Sequence, residues 1–148
     1  AILANPQIRK VFAYQRAVKD DKYGEKRLQG KWSWGFGGHI EPSDTINGNP
    51  IKESMLREVT KEELEICGKI TSHNVLGYIN DDSNSIGSVH FGILYLLNTD
   101  AEVVKPKDQE IAKVELKKIN ELEEICNSPD FDVETWSKIS LEPLRKLI

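Results

Sequence analysis

Residues 37–66 read GGHIEPSDTINGNPIKESMLREVTKEELEI, and this stretch decides the fold. Its glycines close an aromatic run, KWSWGFGGHI from Lys31 to Ile40, in which a strand would put Trp32, Trp34 and Phe36 on one face. A loop with an Asn47-Gly48 turn signal follows, and Thr45 to Asn49 reads as an exposed insertion. Asn49 is a good helix cap, and Pro50 is tolerated in the first helical position. Ile51, Met55 and Val59 then recur every fourth residue, with Leu56 beside them, which predicts one buried helix stripe running to about Glu65.

That stripe meets a conflict at its end. A regular helix would next bury position 63, a glutamate, although the next apolar residue is Leu64. One extra residue in a π-type turn between Thr60 and Glu63 would return Leu64 to the core. The alternative is an unbroken α-helix in which Lys61 lies against the carboxylates. Glu58 and Glu62 are four apart and face the same way in a regular helix. Two stacked carboxylates repel, and a divalent cation between them would relieve the repulsion. A lone acidic pair is otherwise an ordinary solvated helix face.

Outward from this segment, Lys10 to Arg16 alternates apolar and polar residues as a strand, and the charged stretch Ala17 to Gly30 reads as a loop. Ile70 to Ile79 predicts an irregular strand, Asn80 to Ser85 a turn, Ile86 to Leu97 a long strand and Asp108 to Leu116 a weaker one. Glu121 to Cys126 and Val133 to Ile148 read as helices. No linker or repeat interrupts the 148 residues, so a single domain over 1–148 is expected. The net charge of -4 argues against a nucleic-acid polymer as partner, and no apolar run is long enough to span a membrane. Cys67 and Cys126 lack metal-ligand spacing and read as reduced thiols of a cytoplasmic protein.

The segment from Gly37 resembles the Nudix box of the MutT-like hydrolases: Gly38 at the first glycine, Asp44 where the family has glutamate, then Arg57-Glu58-Val59. Twelve residues rather than seven separate Asp44 from Arg57. A one-residue insertion aligns Glu62 and Glu63 with the paired glutamates and Ile66 with the closing aliphatic, whereas the ungapped register puts Lys61 at the first. Neither register supplies the closing glycine. Gly37 to Ile40 and Val89 to Gly92 are also similar to the branch called predicted phosphoesterases.

The resemblance implies an α+β fold, the Nudix α/β/α sandwich with a mixed β-sheet. It implies cleavage of a phosphoanhydride (pyrophosphate) bond, with a nucleoside diphosphate joined to a further group as the small-molecule substrate. Magnesium or manganese would be held by Glu58, Glu62, Glu63 and the Gly38 carbonyl. Arg57 would orient a box carboxylate, and Glu58, Glu62 and Arg57 form the candidate catalytic set. Arg16, Arg27, His39, His90 and Glu110 are weaker candidates for substrate contact, Glu110 also as a proton acceptor with Asp108 its competitor. Trp32, Trp34, Phe36, Tyr78 and Phe91 could stack a base, although aromatic residues at strand spacing are more often core. The competing readings are a non-catalytic binding or regulatory module on this fold, and isoprenoid isomerisation, which calls for a cysteine at the site. A homodimer is compatible with all of these.

Overall fold

The computed structural model describes residues 1–18, 26–46 and 48–148. Asn47 of the turn signal, and residues 19–25 of the charged loop, lie outside them. The strands are Ile2–Asn5 (β1), Lys10–Arg16 (β2), Trp32–Ser33 (β3), Leu64–Ile66 (β4), Ile70–Asn80 (β5), Phe91–Thr99 (β6), Val104–Pro106 (β7) and Ile111–Lys117 (β8). The α-helices are Pro50–Arg57 (α1), Ile119–Asn127 (α2) and Thr135–Arg145 (α3).

The large sheet is mixed. β8 lies antiparallel along β2, while β1 and β3 also pair antiparallel with β2, at its start and its end respectively. β1 runs parallel to β6, and β5 closes the far edge antiparallel to β6. Register breaks near Ile70 and Val75 are the irregularities that the β5 sequence predicts. β4 and β7 form a separate two-stranded ribbon.

Alternating side chains of the central strands feed two cores. Ile2, Ala4, Val11, Ala13 and Leu96 face α2 and α3, meeting Leu122, Ile125, Leu141 and Leu144. Leu3, Phe12, Tyr14 and Leu97 face the other way, onto Met55 of α1 and, past its end, onto Val59 and Leu64. Period-two alternation on a sheet covered on both sides thus yields three layers, helix, sheet, helix, as expected. Each fully buried large aliphatic or aromatic side chain contributes roughly 1.5–3 kcal/mol.

Two expectations need correction. The aromatic run does not keep one face: Trp32 and Trp34 join the core under α2 and α3, but Phe36 packs against Tyr14 on the opposite side, with ring centroids 4.9 Å apart. The cause is that β3 stops after two residues, and the chain bends across the start of β1, where Phe36 N–H donates to the Ala1 carbonyl at 2.7 Å. Trp34 is fully buried because its indole N–H donates to Ser140 Oγ of α3 at 3.0 Å. The strand expected from Ile86 starts only at Phe91. Asn84 Oδ1 accepts the backbone N–H groups of both Ile86 and Gly87, so the turn extends through a 3-10 segment at Gly87–Val89.

Candidate active site

α1 begins as its sequence predicts, with Asn49 Oδ1 accepting the Ile51 N–H at 3.0 Å. At Glu58–Glu63 the helix widens into a π-turn, and the Leu64 N–H reaches back five residues to the Val59 carbonyl. This is the predicted irregularity, and it settles Leu64 in the core with no exposure. The helix gives way to β4 at Leu64, sooner than the expected end near Glu65. Lys61 is exposed on the outside of the turn, whereas Glu63 is buried.

Arg57 is the hub of the box. Its guanidinium grips Asp44 at both oxygens, Nε to Oδ1 at 2.9 Å and Nη2 to Oδ2 at 3.1 Å, in the fork geometry suited to carboxylates. Nη1 also donates to Glu58 Oε1 at 2.9 Å and Glu62 Oε1 at 2.6 Å, and Nη2 to the His39 carbonyl at 2.9 Å. The loop acid therefore lies on the same arginine as two helix acids, despite the longer spacing between them in sequence. Hydrogen bonding from Arg57 holds the Asp44 carboxyl below the usual range, and a backbone N–H from Glu41 adds to this.

Glu58 and Glu63 behave differently. Burial, and next the charge of Glu62, push the Glu58 carboxyl up, against the pull of Arg57. The Glu58 carboxylate lies against Gly38, where a Cβ would come within 2.5 Å of Oε1, so only glycine leaves it room. Burial raises Glu63 further, to about 8, and its Oε2 is buried with no hydrogen-bond partner. The Glu63 carboxylate accepts the Gly37 backbone N–H, which opposes this shift, as do the N-terminal amine and Arg16.

Glu58, Gly38 and His39 lie along one side of a cleft of about 740 Å³. Arg16, Arg27, His90, Glu134 and Trp136 also line it. Arg16 is held by Glu134 at 2.8 Å and Glu110 at 3.2 Å, and Arg27 donates to Ser85 at 2.7 Å. His39 and His90 meet each other, with Nε2 atoms 3.2 Å apart. Glu110 therefore reaches the site through Arg16, and Glu62 turns to Arg57 with its side chain half exposed. Asp108 Oδ1 accepts the Glu110 N–H, so it fixes the loop before β8.

Among the aromatic candidates, Trp32, Trp34 and Phe36 are buried and cannot present a face to a base. Tyr78 and Phe91 are exposed and stack on each other at 5.8 Å. Glu134, Thr135 and Trp136 of the far wall carried no signal in the sequence. They reach the cleft because α3 begins beside β3, where the Trp32 and Val133 backbones form a bridge. Neither cysteine lines the cleft: Cys67 is exposed beyond β4, and Cys126 packs against the α2–α3 core.

Among the described residues, no group of three or more His, Cys, Asp or Glu side chains is gathered to hold a metal ion. Magnesium needs less than that, since it commonly takes one or two carboxylates and fills its shell with water and phosphate oxygens. The unpartnered Glu63 Oε2 and the elevated Glu58 carboxyl seated against Gly38 fit such a demand. No helix among the described residues is long and apolar enough to cross a membrane.

The mixed sheet between helix layers is a Nudix-like fold. It superposes on the crystal structure of Tm1382, a candidate Nudix hydrolase, with a TM-score of 0.74 over 99% of this chain and 68% of that one, at 24% identity. DR0079 from Deinococcus radiodurans matches with a TM-score of 0.62 at 17% identity, covering 98% of this chain and 78% of that one. In sequence the chain is similar to protein YmaB of Bacillus subtilis (strain 168), 38% identical over 144 residues. The match covers 90% of this chain and 64% of YmaB, so the chain spans less than two-thirds of that relative's length. No protein-family model matches the sequence.

Proposed function

We propose that this chain is a single-domain, metal-dependent hydrolase that cleaves a phosphoanhydride bond in a nucleoside diphosphate linked to a further group. The observation that carries the reading is the Arg57 hub, which gathers Asp44, Glu58 and Glu62 and leaves the Glu58 carboxylate against Gly38 at the cleft. Glu58, Glu63 and the Gly38 carbonyl would hold magnesium or manganese, with Glu62 beside them. Bound there, the ion would polarise phosphoryl oxygens and lower the pKa of water.

The chain's own groups divide the remaining work. Arg57 fixes the Glu58 carboxylate, because one guanidinium nitrogen holds both Glu58 and Glu62. Arg16 and Arg27 bring positive charge to the cleft for the substrate phosphates, while Glu110 and Glu134 hold Arg16 in place. A proton from the attacking water needs an acceptor of sufficient basicity. Burial pushes the Glu58 and Glu63 carboxyls up, Glu63 the further of the two. Glu63 would take the proton through whichever carboxylate oxygen the ion leaves free.

The placement of both cysteines outside the cleft leaves isoprenoid isomerisation without its expected group. The test of the hydrolase reading is phosphate release from a panel of nucleoside diphosphate derivatives, with and without magnesium, by the wild type and Glu58→Gln. Release that needs magnesium and disappears in a variant with unchanged circular dichroism is the expected result. A folded wild type inactive on every derivative would favour the non-catalytic module instead, and an active Glu58→Gln would remove Glu58 from the mechanism.

A further inference from the structure

The two histidines at the cleft are arranged for a cation rather than for an anion. His90 Nδ1 lies 2.6 Å from the Ile86 carbonyl. A carbonyl oxygen can only accept, so Nδ1 carries the proton, and the Nε2 of the neutral ring presents a lone pair. That lone pair accepts the Nε2–H of His39 at 3.2 Å, so an ion that takes it displaces this hydrogen, with the His39 proton moving to Nδ1. An anion would meet this lone pair unfavourably, whereas a metal ion would accept it.

We propose that His39 and His90 form a two-imidazole site for a borderline divalent transition metal, zinc being the probe of choice, at the edge of the cleft. The spacing matches the chemistry. Zinc–imidazole bonds of about 2.0–2.1 Å at a tetrahedral angle put the two nitrogens about 3.3 Å apart. The His90 ring is also held in advance. The His90 ring donates to Ile86 and stands edge-on to Trp136, at 86° and 6.4 Å between centroids. Metal-bound imidazoles typically donate the second ring N–H to a carbonyl or carboxylate, which fixes tautomer and orientation. The His39 backbone carbonyl accepts from Arg57 Nη2 at 2.9 Å and from Ser54 Oγ at 3.1 Å, which anchors the segment carrying that ring. His39 is exposed, so an ion can enter.

Two imidazoles leave a zinc ion short of the usual four ligands, and no third His, Cys, Asp or Glu side chain completes the set among the described residues. The site is therefore open. Water fills it in the absence of other ligands, and a phosphate oxygen of a molecule in the cleft could replace that water. Nitrogen ligands set it apart from the carboxylates at Glu58 and Glu63, which suit magnesium. The proposal does not rest on the hydrolase reading, since it concerns binding alone.

The test is an imidazole-nitrogen NMR titration of the full chain with zinc, then with magnesium, with His73 on β5 as internal reference. Zinc is expected to shift the Nε2 resonances of His39 and His90 together, saturating at one equivalent, while magnesium leaves both unmoved. In His39→Ala, a substitution at an exposed ring, the His90 response to zinc should require at least about tenfold more metal. An unshifted pair, a His73 response equal to theirs, or an unaltered His90 titration in His39→Ala would overturn the proposal and leave the contact as an ordinary hydrogen bond. Hydrolytic activity does not enter the readout, so failure here leaves the hydrolase reading to its own assay.

Discussion

In Glu63→Gln, measured without divalent metal, the protein should gain stability over the wild type as pH rises. Glu63 is 7% exposed, and burial moves its carboxyl from an ordinary 4.5 to about 8. A carboxyl raised on folding favours the protonated native state. Its relative stabilisation is fully present below pH 4.5 and is lost as pH climbs through about 8. The interval between those values, at about 1.4 kcal/mol per pH unit, sets a ceiling near 5 kcal/mol. Local water entry and relaxation reduce this, so about 2–3 kcal/mol is expected at pH 8.5. Glutamine is nearly isosteric and keeps an oxygen for the Gly37 N–H, but cannot ionise. Urea unfolding at pH 5, 7 and 8.5 in chelator, followed by circular dichroism, measures the difference. The two proteins should converge at pH 5 and separate steadily above it. Equal pH dependence in both would refute the argument that Glu63 is buried and costly to ionise.

Gly38→Ala should fold normally, within about 1 kcal/mol of wild type, because the atom that a Cβ meets is the movable end of Glu58. The carboxylate must then retreat, and a displacement approaching 1 Å at a reacting group can lower turnover about 10²-fold. Steady-state kinetics beside a thermal melt separates the two effects, and full activity would show that Glu58 does not need its place against Gly38. Deleting Lys61 should turn the π-turn into regular α-helix, since the Leu64-to-Val59 hydrogen bond would then span four residues instead of five. Leu64 stays in the core, and the main loss is the 3.3 Å contact from Lys107 Nζ to the Lys61 carbonyl. A folded deletion variant, of melting temperature close to the wild type, is expected. Aggregation would mean that the π-turn is structurally required.

The layered fold was legible through the resemblance of residues 37–66 to the Nudix box, while periodic burial marked the individual elements. Met55 and Val59 kept the spacing of one helix face, and the misfit between Glu63 and Leu64 announced the π-turn. What escaped reading had little pattern of its own. β1, covered on both sides, lacks the alternation that marks a half-buried strand, and β3, β4 and β7 have only two or three residues each. The start of β6 was misread because a side chain, Asn84, captured backbone donors that apolar sequence alone assigns to a strand. In the site, Arg57, Asp44 and Glu58 were nominated by local sequence, and they do meet. Arg16 with Glu134 could not be paired in advance, since 118 positions separate them and only the docking of α3 beside β3 brings them together.

The central claim, that the box carboxylates hold a catalytic divalent ion, is tested most directly by anomalous diffraction from crystals of this chain soaked in manganese. The account predicts a peak within coordination distance of a Glu58 carboxylate oxygen and the Gly38 carbonyl, with Glu63 drawn toward it and the peak lost in Glu58→Gln. A saturating soak that leaves Glu58 without a peak, or places manganese only at His39 and His90, would contradict it.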